Sequence, residues 1–153
     1  MTAGVHVRLV PMTRAHIDAL LPYERDMFGT EAWSRNSYRA ELADTRHRYY
    51  VAAEDADGAL LGWAGVLVIG ETAQILTVGV VPRGRRQGTA RRMVAALLDE
   101  AVRRGAVEAF LEVRVDNDAA RALYVAEGFA EIGLRRGYYD AGRVDAVTMR
   151  KDL

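Results

Sequence analysis

Cysteine is absent from the 153 residues. That excludes a disulfide framework, a thiolate zinc site and a cysteine nucleophile. Lysine is almost absent too: Lys151 is the only one, and the other cations are arginine. A lone lysine at the end of the sequence leaves none for a P-loop or a Schiff base. An excess of charge of either sign is also missing, because the formal net charge is zero. Global charge therefore gives no support to non-specific binding of nucleic acid. Long apolar runs are missing as well. The longest, Ala59 to Ile69, is too short to cross a bilayer. No basic segment followed by an apolar stretch opens the chain, so no signal peptide is expected. The default expectation is a cytoplasmic protein that engages neither membrane nor nucleic acid.

What is present suits one globular domain spanning residues 1–153. Half of the residues are hydrophobic and 27% are charged, enough to bury a full core without metal or disulfide. No repeat, linker or low-complexity tract interrupts the chain. Val5 to Met12 reads as a strand. Thr13 can cap a helix with the stripe Ile17, Leu20, Leu21, Met27 and Phe28, and Pro22 predicts a kink or break inside it. A Gly-containing loop, Phe28 to Trp33, leads to Ser34, which can cap a short helix to about Ala43 bearing Tyr38 and Leu42 on one face.

Strands follow at Tyr49–Glu54, Ala59–Ile69 and Ala73–Val81, the first two joined by the hairpin signal Asp57-Gly58. Thr89 to Arg104 is the clearest helix, with Ala90, Met93, Val94, Leu97, Leu98, Ala101 and Val102 at helical spacing. Val107–Val115 is a strand, Asn117 and Asp118 can cap a helix through Ala126, and Phe129–Tyr138 with Val144–Arg150 form a last hairpin. A strand–helix–strand unit set among antiparallel neighbours makes the class α+β, a mixed sheet covered by helices on both faces.

The strongest local signal lies between Val81 and Arg92. A strand ends at Pro82, and Arg83-Gly84-Arg85-Arg86-Gln87-Gly88-Thr89-Ala90 leads into the best helix of the chain. Glycines permit close approach of backbone to ligand, and a helix N-terminus offers unpaired N–H groups and the positive end of the dipole. Arg83, Arg85, Arg86, Arg91 and Arg92 add donors suited to phosphate oxygens. A solvated basic loop before an ordinary helix is the competing reading. The patterns of P-loop and Rossmann sites are both missing.

These residues carry a resemblance. Arg85-Arg86-Gln87-Gly88-Thr89-Ala90 resembles the Q/R-x-x-G-x-G/A pyrophosphate motif of the GNAT acetyltransferases. Asn117-Asp118-Ala119-Ala120-Arg121-Ala122-Leu123-Tyr124, followed by Glu127-Gly128-Phe129, resembles that superfamily's second landmark, N-x-x-A-x-x-L-Y-x-x-x-G-F. The resemblance spans essentially the whole chain. It implies a mixed, mostly antiparallel sheet of about seven strands with about four helices. It also implies acetyl-CoA as co-substrate, with no metal. Leu111-Glu112-Val113-Arg114, Arg135-Arg136-Gly137-Tyr138-Tyr139, Ala32-Trp33-Ser34 and the ending Val144 to Met149 are most similar to the RimI type. In that family the acceptor is the N-terminal alanine of a small-subunit ribosomal protein. Ala32 stands where the family's P-W-S segment has proline, and Thr89-Ala90 is a variant of the loop motif.

Carried over residue by residue, the resemblance implies Glu112 as general base and Tyr124 as general acid. On sequence alone Glu112 is equally a solvated strand charge, and Tyr124 reads more readily as a core aromatic on an amphipathic helix. A base of ordinary strength suffices for an α-amine, whose pKa is about 7.7–8 against about 10.4 for lysine. Backbone of Val78, Gly79 and Val80 would pair with the pantetheine arm on a strand that splays from its neighbour. Arg85, Arg86, Gln87, Gly88, Thr89, Ala90 and Arg91 would hold the pyrophosphate. Asn117 caps its helix, binds the cofactor, or does both. Trp33, Tyr138 and Tyr139 are candidates for the acceptor pocket, with rim packing as the competing role. His6, His16 and His47 are assigned nothing. A small-amine or lysine side-chain acetyltransferase, and a non-catalytic acyl-CoA sensor, are the alternatives in function.

Overall fold

A computed structural model describes residues 6–153. Val5, the first residue of the expected opening strand, lies outside the described residues. The strand itself, β1, covers Arg8–Pro11. Helices α1 (Arg14–Phe28) and α2 (Arg35–Ala43) follow, then strands β2 (Arg48–Glu54), β3 (Leu60–Ile69) and β4 (Thr72–Val80). Helix α3 (Thr89–Arg103), β5 (Glu108–Arg114), α4 (Asp118–Ala126), β6 (Ala130–Tyr139) and β7 (Val144–Asp152) complete the order. The described residues thus form one sheet of seven strands, in the order β1-β2-β3-β4-β5-β7-β6. Neighbours are antiparallel except β4 and β5, which run parallel across the α3 crossover.

The caps expected from sequence are in place where they matter. The Ser34 hydroxyl accepts the Ser37 N–H at 3.0 Å, and Asn117 Oδ1 accepts the Ala120 N–H at 3.1 Å. Of the two outcomes expected at Pro22, the break does not occur: α1 continues through it as a single helix. The reason is its placement. Pro22 is exposed, and so is Asp18, whose carbonyl loses its helical donor, so water can replace the missing bond.

Period-two alternation in the strands divides the core in two. Val51, Ala53 and Val66 face α3, where Met93, Val94, Leu97 and Ala101 are fully or almost fully buried. Tyr50, Ala52 and Trp63 face α1 and α2, packing with Ile17, Leu20 and Tyr38. The α3 stripe is shorter than its sequence spacing indicates, because Val102, in the last turn, is 53% exposed.

The feature that positions the site is a gap in the sheet. β4 and β5 pair only at Thr72–Glu108, Ala73–Ala109 and Gln74–Phe110. Beyond that the β3–β4 register shifts, so that Gly65 faces Thr77 while Val66 faces Ile75, leaving Leu76 as an extra residue in β4. Such a bulge bends a strand and increases its twist. From there β4 stays with β3 as far as Val80, while β5 stays with β7 as far as Arg114.

The two burial states within α3 give a direct test. Leu97→Ala is expected to cost about 2–5 kcal/mol of unfolding free energy, and Val102→Ala less than about 0.5 kcal/mol. Urea denaturation should show this as a lower midpoint for Leu97→Ala at unchanged slope.

Candidate active site

The parting of β4 and β5 opens a cleft of about 270 Å³. Its strand walls include Thr77 and Val78 from β4 and Leu111 to Arg114 from β5. Asn117, Ala120 and Tyr124 reach it from α4, Met27, Phe28, Glu31 and Trp33 from the end of α1 and the loop after it, and Tyr139 from the end of β6. Glu112 and Tyr124 therefore line one cleft, together with Asn117, Trp33 and Val78.

β5 alternates, with Ala109, Leu111 and Val113 buried and Phe110, Glu112 and Arg114 half-buried. Glu112 is thus on the partly open face. Its Oε2 accepts the Thr148 hydroxyl at 2.7 Å, and its Oε1 pairs with the Arg135 guanidinium at 3.3 Å. Thr148 is its cross-strand partner in β7. The carboxylate is oriented by two donors, not left to roam in solvent as a bare strand charge would be.

Tyr124 belongs to the core that packs under α4, with its ring edge-on to Phe129 at 5.8 Å between centroids. Burial, with Tyr139 adding to it, pushes its phenol well above the ordinary tyrosine range. The packing and proton-donor roles are therefore compatible: the group is buried, borders the cleft and stays protonated.

Tyr139 donates its hydroxyl to the Glu112 carbonyl at 3.3 Å, and its ring lies 5.8 Å from the Arg114 guanidinium carbon. Its phenol is pushed up to about 12, chiefly by burial. Tyr138 is not among the residues lining the cleft. It is 45% exposed, packs edge-on against Tyr139 and lies 4.4 Å from the Arg135 guanidinium carbon. The β6–β7 register shifts between Arg135 and Tyr139, so the pair sits at the rim with only the second ring turned in.

The Arg85–Arg91 loop is built by local necessity. Gly84 is buried, and a Cβ there would lie 2.7 Å from the Leu61 carbonyl oxygen. Arg86 and Gly88 take left-handed backbone, φ 62° and 74°, the region glycine tolerates best. The Thr89 hydroxyl donates to the Gly84 carbonyl at 2.9 Å and the Gln87 amide to the Arg83 carbonyl at 2.9 Å. Thr89, at a free position of the family motif, thus ties the first residue of α3 to the loop. Amides in the first turn of α3, including those of Thr89, Ala90 and Arg91, lack helical acceptors, the ordinary makings of an anion site. The arginines divide. Arg83 pairs with Asp55 and Arg91 with Glu127, while Arg92 donates to the Val7 carbonyl. Arg85 and Arg86 form no ion pair among the described residues, and Arg85 donates to the Val80 carbonyl at 3.3 Å.

Two carboxylates that sequence reading passed over also border the cleft. Glu31 accepts the Asp140 N–H at 2.5 Å and lies 3.8 Å from Arg114, joining the loop after α1 to the β6–β7 turn. That N–H holds its carboxyl below the usual range. Glu24 is buried in α1. Its signal was present in the helical spacing, since it falls seven residues after Ile17 on the buried stripe.

Residues 16–129 match the family model described as "Acetyltransferase (GNAT) family". The chain is 41% identical to N-alpha-acetyltransferase RimI of Mycobacterium tuberculosis, over 99% of this chain and 97% of that protein. This chain belongs to the GNAT acetyltransferases. It is 34% identical to the [ribosomal protein bS18]-alanine N-acetyltransferase of Escherichia coli K12, over 76% of this chain and 78% of that one. The crystal structure of the ribosomal-protein-S18-alanine N-acetyltransferase from Escherichia coli superposes with a TM-score of 0.82 at 27% identity, covering 96% and 94% of the two chains. The expected α+β GNAT fold is therefore the fold observed. Among the described residues no helix is long and apolar enough to cross a membrane, and no His, Asp and Glu cluster could hold a metal ion.

The environment of Tyr124 makes a prediction independent of turnover. A phenol ordinarily ionises near pH ~10, and burial disfavours the phenolate. Tyr124→Phe should leave the phenolate absorbance step near pH ~10 unchanged in size; a smaller step would mean that water reaches the hydroxyl.

Proposed function

We propose that this chain transfers the acetyl group of acetyl-CoA directly to the α-amine of a protein N-terminus, with an N-terminal alanine of a small-subunit ribosomal protein as acceptor and the cytoplasm as the place of action. One observation carries this reading. Glu112 and Tyr124 line a single cleft at the parting of β4 and β5, in a chain resembling an N-alpha-acetyltransferase along its full length.

In this reading the first-turn amides of α3 and the loop residues Arg85, Arg86, Gln87, Gly88, Thr89, Ala90 and Arg91 receive the pyrophosphate. The β4 backbone at Val78, Gly79 and Val80, whose edge toward β5 carries no ladder among the described residues, takes the pantetheine arm and polarises the thioester carbonyl. Asn117 caps α4 and borders the same space. Trp33 and Tyr139 bound the acceptor, with Tyr138 at the rim. Glu112, held by Thr148 and Arg135, accepts a proton from the amine through water. The amine nitrogen bonds to the carbonyl carbon, the carbon–sulfur bond breaks, and the Tyr124 hydroxyl protonates the departing thiolate. Solvent then restores the phenol. No acyl-enzyme is required, in keeping with the absence of cysteine.

The choice of acceptor is tested with two peptides: one beginning with a free alanine, the other blocked at its N-terminus and carrying a lysine. The free-alanine peptide should have the higher kcat/KM. Preference for the lysine peptide would make this a side-chain acetyltransferase.

The roles in proton transfer are tested by Glu112→Gln and Tyr124→Phe, each expected to lower kcat by about 10²–10⁴ while acetyl-CoA binding is retained. An α-amine loses its proton unaided above about pH 8. Glu112→Gln should therefore recover part of its activity as pH rises, and Tyr124→Phe should not. Full turnover by Tyr124→Phe with chemistry rate-limiting would return that residue to packing alone.

A further inference from the structure

We infer that Glu24 is a positioning residue, which holds the Trp33 loop at the acceptor end of the cleft in register with strand β4. This rests on the reading above in one respect, that Trp33 borders the acceptor.

Glu24 is 2% exposed and is among the residues lining the cleft. Among the described residues it forms no ion pair. Its Oε2 accepts the Trp33 N–H at 3.1 Å, and its Oε1 accepts the Tyr38 hydroxyl. The Tyr38 oxygen accepts in turn from Trp63 Nε1 at 3.0 Å. The Trp63 indole is fully buried and lies against Gly79 of β4, where an added Cβ would come within 2.4 Å of the ring. Trp33 and Tyr38 also pack ring against ring at 5.1 Å. An unbroken series of contacts thus runs from the strand proposed to hold the pantetheine arm, through two aromatic side chains and one carboxylate, to the backbone of the acceptor loop.

A carboxylate buried without a cation is a costly choice for a stripe position that leucine would fill. Burial holds its carboxyl above the usual range. What the carboxylate supplies, and an apolar residue would not, is two acceptor oxygens with separate donors. One donor belongs to α2, the other to the loop before it. They fix the main chain at Trp33, whose side chain reaches the cleft. With both oxygens engaged and almost no exposure, Glu24 is poorly placed to exchange protons with an amine. The geometry makes it a brace, and Glu112 keeps the base role proposed for it.

The test is steady-state kinetics and fluorescence on Glu24→Gln, with Tyr38→Phe as a second variant that keeps the ring and removes one donor. The peptide KM is expected to rise roughly tenfold to a hundredfold, with the acetyl-CoA KM within about twofold of wild type and circular dichroism unchanged. The chain has two tryptophans, and Trp63 is fully buried, so acrylamide quenching reads Trp33. Quenching should increase in both variants. It reports the loop whichever acceptor the wild type prefers, so failure of the alanine reading and failure of the brace are distinguishable. Unchanged quenching would overturn the brace. Raised quenching with unchanged peptide KM would overturn its link to the acceptor. A fall in kcat with loss of the acid limb of the pH profile would make Glu24 a base and overturn the positioning role.

Discussion

The separation of β4 from β5 after Gln74–Phe110 is the constraint on which the rest depends. A parallel pair that continued would spend its hydrogen bonds within the sheet and leave no cleft. Because β4 follows β3 and β5 follows β7, each turns an unladdered edge to the same space. Such edges want partners, and an extended amide-bearing arm is a suitable one. The bulge at Leu76 gives a local cause for the divergence. The α3 crossover then places the helix N-terminus just beyond the end of β4, and α4, capped by Asn117, brings Tyr124 to the opposite side.

The two groups proposed for proton transfer have contrasting surroundings. Glu112 stands on a half-open strand face between a hydroxyl and a guanidinium, both donating to it. Tyr124 is enclosed by core, packed on Phe129, with its phenol pushed upward by the lack of water. A carboxylate kept hydrogen-bonded and a phenol kept neutral are the states that a base and an acid need at the start of a reaction. The surroundings of Glu112 do not come from neighbours in sequence, since Thr148 and Arg135 arrive from the last hairpin, whereas Phe129 follows Tyr124 by a few residues, just beyond the end of α4.

That dependence explains what sequence reading reached and what it did not. Element types and order follow from periodicity and capping, which are local, so α2, α3, α4 and the hairpins could be read from Ser34, Asn117 and the apolar spacing. Glu112 and Tyr124 were found through motif resemblance, and their shared cleft needed the fold. Pro22 does not break its helix because its cost depends on whether the orphaned carbonyl meets water, a property of the helix's outer face. Val102 was misjudged because spacing continues to the end of a helix while its contact surface does not. Tyr138 and Tyr139 look equivalent in sequence, and a register shift separates them. Glu24 was legible in principle, as a charge on a buried stripe, but only Trp33, Tyr38 and Trp63 give that position a meaning.

The arginines of the loop show how far composition can mislead about a phosphate site. Five lie within reach in sequence, yet Arg83 and Arg91 are engaged by Asp55 and Glu127, and Arg92 by a carbonyl. Of the five, Arg85, Arg86 and Arg92 keep charge uncommitted to a carboxylate among the described residues, and Arg92 is spent on the Val7 carbonyl. What the loop retains in full is backbone: left-handed turns at Arg86 and Gly88, a Gly84 that no larger residue can replace without meeting the Leu61 carbonyl, and the open first turn of α3. Amides fixed by such geometry do not need to be ordered when an anion arrives, whereas long arginine side chains lose rotamer freedom on binding. Recognition of a pyrophosphate here would therefore rest first on main-chain shape, with Arg85 and Arg86 adding attraction, which is why Thr89 can stand at the head of the helix: its hydroxyl secures the loop's form without occupying the amides.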